Sequence, residues 1–333
     1  MRSTHAVRRS ASYAMAAVIG IATALVSASV PAQTYPTKPV RLIVPSAAGS
    51  PADHIARWLG ERMTQQLGQP VVVENRAGAG GIIGTQAVVK SPADGYTLLY
   101  AHQGILAFNP FLYSKPGYDA LRDLAPIARF LVGPLVIAVN SDSRIDSIEA
   151  LLREAKAQPG KLTSATGSVG TPPHLASELF RRVAGIDVTL VPFQAGNFAV
   201  ADLVAGRVSY TIDGVGIIQP HAKSGRLRML ASTGTKRMSQ VPDLPTVGEA
   251  GLRDYVYETW GGLTAPAGTP PAIVARLAAD VGKVMATSEG RESLLALGWE
   301  PVVGDTPESF AAFIKAEYTR WGDVIRQAGI KID

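Results

Sequence analysis

The sequence contains no cysteine, and this absence removes several kinds of chemistry at once. Disulfide bridges, zinc–thiolate sites and cysteine nucleophiles are all excluded. A lipid anchor on an N-terminal cysteine is excluded for the same reason. The fold must therefore depend on its apolar core, and a chain of 333 residues is long enough to bury one. A chain of this length usually divides into two domains.

Catalytic signatures are also scarce. The sequence has five histidines and no HExxH pair. It has no Walker phosphate loop, and residues 78–84 (GAGGIIG) have isoleucine where a dinucleotide fingerprint needs its third glycine, so we interpret them as a tight turn with close helix packing. Ser168 lacks the paired glycines of a hydrolase nucleophile elbow. We therefore expect no cofactor, no metal and no enzyme activity.

The first 32 residues have the pattern of a secretory signal peptide. The first ten contain three arginines and no acid, residues 14–26 (AMAAVIGIATALV) form an uncharged apolar run, and residues 30–32 (VPA) fit a cleavage site. The apolar run is shorter than the ~20 residues that span a bilayer. An uncleaved N-terminal anchor is the alternative. We expect export to the periplasm, with cleavage near Ala32.

The charge balance gives no sign of a nucleic-acid partner. Removing the three signal arginines from the net charge of +5 leaves a mature chain near +2. The sequence has no block of basic residues of the kind that follows a phosphate backbone. We expect the partner to be a small molecule, with no nucleic acid involved.

From residue 40 onwards, short apolar strands alternate with amphipathic helices. This order predicts an α/β fold in which helices cover a parallel sheet. The apolar stretch 126–139, interrupted by Gly133-Pro134, is predicted to form strands that cross from one domain to the next. The predicted strands are 40–45, 71–74, 96–101, 161–165, 187–193, 208–212, 228–232 and 257–264. The predicted helices are 51–67, 82–90, 146–157, 172–184, 197–205, 216–224, 271–286, 289–297 and 307–328.

These elements predict two α/β lobes. Lobe 1 would be discontinuous, with residues 33–132 and 233–333, and lobe 2 would be the insert 133–232. Two crossings between lobes form a hinge, and a cleft beside a hinge is a natural ligand site.

The most specific feature is a pair of similar loops. Residues 46–51 (SAAGSP) follow the first strand, and residues 164–172 (SATGSVGTP) follow a strand of the second lobe. Their endings predict helix N-caps at Ser50 and Thr171, each before a proline at the first helical position. Backbone amides at such a helix start bind a carboxylate or phosphate without needing Arg or Lys. The alternative is that both loops are ordinary helix starts.

Several polar residues near these loops have competing interpretations. Asp53 fits a capping box with Ser50, which we favour over direct ligand contact. Asp213 follows the predicted strand 208–212 and would accept a hydrogen bond from a ligand hydroxyl or amine, or serve a turn. The histidines 102 and 174 would bind an anion or pack structurally. The candidate ligand-binding residues are Ser46, Ala47, Ala48, Gly49, Ser50, Asp53, His102, Gln103, Thr166, Gly167, Ser168, Gly170, Thr171, Phe193, Gln194, Ala195, Gly196 and Asp213.

Several long motifs then point to a known family. The chain resembles the periplasmic solute-binding receptors of tripartite tricarboxylate transporters, the Bug-type receptors, over nearly all of residues 35–333. The resemblance implies a type II periplasmic-binding-protein fold and a transporter to which a monomeric receptor delivers its ligand. The motifs are residues 35–45 (YPxKPVRxIVP), 72–81 (VVENRxGAGG), 94–98 (DGYTL), 109–110 (NP), 170–175 (GTPPHL) and 202–206 (DLxAG).

The resemblance also assigns the loops. It implies that residues 46–53 grip a carboxylate and that residues 164–171 and 193–196 form the opposing wall, with backbone amides and small hydroxyls as donors. Two departures prevent a transfer of ligand identity. Ser46 stands where the family usually has an aromatic residue, and Gly49-Ser50 stands where it commonly has two glycines.

Two other functions are open at this point. One is an exported serine hydrolase, with Ser46 or Ser168 as nucleophile and His102 or His174 as base. The other is a ligand sensor that feeds a signalling partner.

Overall fold

The computed structural model describes residues 35–332, so the predicted signal peptide, residues 1–32, lies outside the described residues. Contacts divide the chain after Thr37, and the fold described below is that of Lys38 onwards. Within the described part, no helix is both long enough and apolar enough to cross a membrane.

Strands and helices alternate along the described chain as the sequence predicts. The strands are β1 Val40–Val44, β2 Val71–Asn75, β3 Thr97–His102, β4 Leu124–Asn140, β5 Thr163–Thr166, β6 Thr189–Pro192, β7 Tyr210–Gly214, β8 Leu227–Ser232, β9 Glu258–Pro266 and β10 Glu300–Pro301. The helices are α1 Pro51–Leu67, α2 Ile82–Val89, α3 Asn109–Leu112, α4 Ile148–Ala157, α5 Pro172–Ala184, α6 Gly196–Val204, α7 Val215–Lys223, α8 Pro271–Ala286, α9 Ser288–Ala296 and α10 Pro307–Ala328.

Helix periodicity in the sequence located the helices well. In α1, the predicted apolar face, Ile55, Leu59, Met63 and Leu67, is buried, and Gly68 ends the helix in the left-handed conformation. A π-type turn over Gly104–Phe108 runs into α3 and was not predicted. Its residues are apolar enough to be buried but too few to show helical periodicity.

The strands form one sheet with two parts. In the first part, β2, β1 and β3 are parallel, and β9 joins β3 to the amino-terminal half of β4 in antiparallel pairs. In the second part, β7, β5 and β6 are parallel, and the carboxyl-terminal half of β4 lies between β7 and β8. The predicted α/β class is therefore confirmed.

The strand β4 is common to both parts of the sheet. The sequence analysis expected separate strands interrupted at Gly133-Pro134, and this detail is wrong: one strand of 17 residues continues through them. Pro134 is tolerated because the neighbours change there. The pairing with β9 ends at Pro134, and the pairing with β7 begins at Leu135. A missing N–H donor costs little at such a junction.

The segment 233–257 packs against the second part of the sheet. Met238, Val241 and Leu244 join the apolar cluster around β4 and β5, and the Tyr255 hydroxyl donates to the Ala176 carbonyl of α5 at 3.1 Å. The predicted lobe boundaries stay a prediction. We propose that the second crossing lies near Tyr257, which is later than the boundary drawn at residue 233 from the sequence.

Candidate ligand-binding site

The strand register brings two sets of loops toward each other. β3 ends at His102, which is aligned through Gly261 of β9 with Leu131 of β4, and β7 ends at Gly214, which is aligned with Leu135 of β4. β3 runs parallel to β4 and β7 runs antiparallel to it. Their carboxyl ends therefore point toward each other across roughly 13 Å of strand. Ligands of open α/β sheets bind at such carboxyl ends.

The loop before α1 is shaped by Asp53. Ser50 is the N-cap, as predicted, and its hydroxyl accepts from the Asp53 amide at 3.3 Å. The reciprocal bond differs from the predicted capping box, because the Asp53 carboxylate accepts from the amide of Gly49 at 2.8 Å rather than from that of Ser50. The Gly49 amide is therefore occupied. Among the described residues, the exposed amides of Ala47 and Ala48 have no acceptor, so they are open to a ligand.

Three neighbours hold Asp53 in its ionised form. Burial alone would raise its pKa, but hydrogen bonds from Arg57, the Gly49 amide and Asn75 outweigh that effect and lower the pKa to about 2. The Asn75 amide nitrogen lies 2.9 Å from Asp53 Oδ1 and 3.2 Å from the Ser46 carbonyl oxygen. Through these two hydrogen bonds, Asn75 connects the end of β2 to both ends of the loop. The strand-end rule that selected Ser46 would also have found Asn75.

Replacing Asp53 with asparagine should lower the free energy of unfolding by about 2 kcal/mol at pH 7. The folded carboxylate stays ionised to about pH 2, whereas an unfolded aspartate protonates near pH 4. The stabilisation is therefore complete above pH 4 and is lost as the pH falls toward 2. Urea unfolding at both extremes measures it. Glu61→Gln, at an exposed position of α1, is the control and should change little at either pH.

The loop before α5 contacts the loop before α6. The Ser168 hydroxyl donates to the Phe193 carbonyl at 3.2 Å, and the Phe193 amide donates to the Thr166 carbonyl at 2.9 Å. Residues 164–171 and 193–196 therefore lie next to each other. Thr171 is the N-cap of α5, as predicted, but its hydroxyl donates to the Ser168 carbonyl at 2.6 Å instead of capping the helix.

Not every amide of this second loop is open to a ligand. A Cβ atom on Gly170 would lie 2.7 Å from Ile332 Cδ1 and 2.9 Å from Leu112 Cδ1, so this end of the loop is packed. The Gly170 amide also donates to His174 Nδ1 at 3.4 Å. The amides of Gly167 and Ser168 have no acceptor within residues 35–332. These two positions are the better candidates for ligand contact.

The residues at the end of β3 have separate surroundings. His102 Nδ1 accepts from the Gly104 amide at 3.1 Å, and burial lowers the pKa of His102 to about 4, so its ring is neutral at pH 7. Gln103 is buried: its amide nitrogen donates to Glu317 Oε2 at 2.9 Å, and its Oε1 accepts from the Tyr257 hydroxyl at 3.0 Å. Both polar ends of Gln103 are used by the protein. We leave its side chain out of the proposed ligand contacts.

Asp213 is the second-last residue of the strand β7. Its Oδ1 accepts from the Gly214 amide at 2.7 Å, and its Oδ2 is buried without a partner in the described residues. Burial raises the pKa of Asp213 to about 6, and the Gly214 hydrogen bond only partly offsets this. Gly196 faces the free oxygen, so Asp213 adjoins the loop 193–196.

A catalytic pair or metal centre is not assembled in the described part of the chain. No hydrogen bond joins a serine hydroxyl to an imidazole between residues 35 and 332: His174 Nδ1, like His102 Nδ1, accepts from a backbone amide, and Ser168 donates to carbonyls. Burial is the main cause that lowers the pKa of His174. The same residues contain no group of three or more His, Asp or Glu side chains suited to a metal ion.

Two large surface cavities lie elsewhere. One, of about 880 Å³, is bounded by the start of α4, by α7 and by residues 240–245. The other, of about 930 Å³, lies at the amino ends of β5 and β7. Neither is lined by any of the candidate residues. Cavity volume therefore does not identify the carboxyl-end loops as the candidate ligand site. Their open amides and the unpartnered Asp213 oxygen identify it.

Comparison with known proteins gives the family. Residues 55–330 match the tripartite tricarboxylate transporter family receptor, TctC. Protein BugT of Bordetella pertussis is 39% identical over 319 residues, which cover 95% of this chain and 98% of BugT. The chain belongs to the TctC receptor family.

Solved structures of TctC-like proteins agree with the fold. Rpa4515 of R. palustris, solved with adipate, is 34% identical with a TM-score of 0.76, covering 90% of this chain and 100% of that chain. MatC of Rhodopseudomonas palustris, solved with bound malate, is 31% identical with a TM-score of 0.72, covering 87% and 100%. The predicted periplasmic-binding-protein fold and Bug-type resemblance are therefore confirmed. The TctC family is a family of solute-binding receptors, not of hydrolases.

Proposed function

We propose that this chain is a periplasmic receptor that binds a small organic acid and delivers it to a tripartite tricarboxylate-type membrane transporter. The observation that carries the proposal is the pair of glycine loops, 46–51 and 164–172. They follow β1 and β5, the parallel neighbours of β3 and β7, whose carboxyl ends point toward each other along β4. Each loop starts a helix of 13 residues or more. The positive ends of both helix dipoles therefore favour an anion between them.

The donors proposed for the acid are neutral. The amides of Ala47 and Ala48 would hold one carboxylate, and those of Gly167 and Ser168 would face it from the second part of the sheet. Neither loop contains Arg or Lys. The adipate and malate bound to the two solved relatives are both dicarboxylates, which supports this ligand class. Ser46, in place of the family's usual aromatic residue, would make the pocket wider or more polar.

Several finer parts of the proposal follow from the family rather than from the geometry. We propose that residues 1–32 direct export and are removed near Ala32, that the mature chain acts as a monomer, and that the two lobes close on the ligand. An N-terminal sequence that begins at Gln33 in a periplasmic extract, and a monomer mass in solution, are the expected results.

The central test is a panel of mono-, di- and tricarboxylates offered to the ligand-free protein. A bound acid at one hundred times its Kd should stabilise the protein by about 2.7 kcal/mol and raise Tm by roughly 5 °C. Solution scattering should show compaction with the same acid. The uncharged amides of the same acids, with every carboxylate replaced, are the control and should have no effect. A complete panel without a thermal shift or heat of binding would contradict the proposal.

A further inference from the structure

The carboxylate of Asp213 has one oxygen that the protein does not use. Asp213 is only 8% exposed, and its Oδ2 has no hydrogen-bond partner in the described residues. Leaving a buried polar atom unsatisfied costs free energy, and more so when it belongs to a charged group. A ligand that donates a hydrogen bond to Oδ2 would recover this cost.

The free oxygen is aimed at the start of α6. A Cβ atom placed on Gly196, the first residue of α6, would lie 2.8 Å from Asp213 Oδ2 and 2.8 Å from Ile217 Cδ1. Glycine at position 196 therefore allows the start of α6 to approach Oδ2 closely. A side chain at this position would clash with the carboxylate.

The first turn of α6 supplies donors beside this acceptor. Its N-cap is Ala195, which has no side-chain acceptor, and alanine is a poorer N-cap than Ser or Asp. Within the described residues, the amides of Gly196 and Asn197 have no acceptor. A helix start with open amides binds anions. Open donors and an open acceptor thus lie side by side.

We propose that Asp213 and the first turn of α6 recognise an acid with a hydroxyl or ammonium group on the carbon next to its carboxylate. The ligand carboxylate accepts from the amides of Gly196 and Asn197, and the neighbouring hydroxyl or ammonium donates to Asp213 Oδ2. This inference rests on the proposed function. It narrows the ligand class to α-hydroxy or α-amino acids and makes Asp213 a specificity-determining residue.

The surroundings of Asp213 give the recognition a pH dependence. Burial raises the pKa of Asp213 to about 6, so its carboxylate is ionised at pH 8 and protonated at pH 5. Gly196 and Ile217, which face it from α6 and α7, are uncharged. Tyr257 is a titratable residue that interacts electrostatically with Asp213. Burial is the main cause that keeps the pKa of Tyr257 well above its usual range, so Tyr257 stays neutral. The preference for a donor-bearing acid should therefore weaken at pH 5.

The test compares matched acids by calorimetry on the ligand-free full chain. The sets are propionate, lactate and alanine; succinate, malate and aspartate; and glutarate, 2-hydroxyglutarate and glutamate. At pH 8, the hydroxyl or amino member of the best-bound set should bind at least tenfold more tightly than the member without a donor, which is about 1.4 kcal/mol. At pH 5, the ratio should fall below threefold.

The variant Asp213→Asn separates this inference from the function on which it rests. Asparagine keeps an oxygen for the Gly214 amide and places an NH₂ group where Oδ2 was. The ratio should therefore fall below threefold at pH 8, because the hydroxyl or amino member loses its acceptor. Asp202→Asn, which removes the same charge near the other end of α6, should leave the ratio unchanged.

One result would contradict the role of Asp213, and a different result would contradict the proposed function. An unchanged ratio in Asp213→Asn, or in the wild type at pH 5, overturns the role of Asp213 while the acid receptor stands. The absence of binding by every acid overturns the proposed function itself. If Asp213→Asn does not fold, the pH comparison on the wild type decides.

Discussion

Replacing Glu317 with alanine should lower the free energy of unfolding by about 4 kcal/mol. Glu317 Oε2 accepts from Gln103 Nε2 at 2.9 Å, from Trp260 Nε1 at 3.0 Å and from Trp321 Nε1 at 2.9 Å. Its Oε1 also accepts from Arg320 at 3.3 Å. Removing the carboxylate leaves the two tryptophan donors buried without an acceptor, and it leaves Gln103 Nε2 with only the Glu258 carbonyl at 3.4 Å. Each such donor costs about 1–3 kcal/mol, and relaxation keeps the total below the sum.

Urea unfolding followed by tryptophan fluorescence and circular dichroism measures this loss. Glu317→Gln keeps one carbonyl acceptor and should be intermediate. Asp323→Ala, at an exposed position of the same helix, α10, is the control and should change stability by about 0.5 kcal/mol or less. A loss below about 1 kcal/mol in Glu317→Ala would mean that the three donors find other partners.

The Glu317 cluster also shows why the sequence could not reveal the role of the Gln103 side chain. Gln103 follows the strand β3, where strand-end polar residues usually meet a ligand. The structure instead turns its side chain toward α10, more than two hundred residues later in the chain. Trp260 is buried in the same cluster. Nothing local to residue 103 distinguishes these two outcomes, because the deciding acceptor is brought in by tertiary packing.

The loops show where sequence reasoning is strong. Ser50-Pro51 and Thr171-Pro172 fix two helix starts from local chemistry alone, and both helices begin where predicted. The glycine-rich segment 78–84 is also a tight turn: a Cβ atom on Gly84 would lie 2.8 Å from the Arg76 carbonyl oxygen. Steric and capping rules act over a few residues, so one sequence contains the whole cause.

The direction of each hydroxyl and amide was beyond that reasoning. The Thr171 hydroxyl bonds the Ser168 carbonyl rather than the helix, and the Gly49 amide is taken by Asp53. From the sequence alone, all the loop amides are equivalent donors. The structure leaves only some of them open, because each bond depends on the exact backbone path of the loop. The sequence thus predicts the place of the candidate site better than its donors.

The second large effect is expected from Asp213→Asn as a change of stability with pH. In the folded protein the pKa of Asp213 is about 6, whereas an unfolded aspartate titrates near 4. Between these values the folded state binds the extra proton, so the wild type loses stability as the pH rises from 4 to 6 and stays at the lower level above it. The loss is about 3 kcal/mol for a shift of roughly two pKa units. Asparagine cannot ionise and should not show it.

The stability of Asp213→Asn relative to the wild type should therefore rise by about 3 kcal/mol between pH 4 and pH 8, whatever the two proteins' difference at pH 4. Urea unfolding across this range measures it without a ligand. Asp202→Asn should show almost no such rise, because the Arg207 hydrogen bond lowers the pKa of Asp202 in the folded state and the resulting pH dependence lies below about pH 4. Parallel pH profiles for Asp213→Asn and the wild type would show that Oδ2 has a partner after all. A rising profile would mean that the receptor retains a destabilising carboxylate, a cost that ligand recognition at Oδ2 explains.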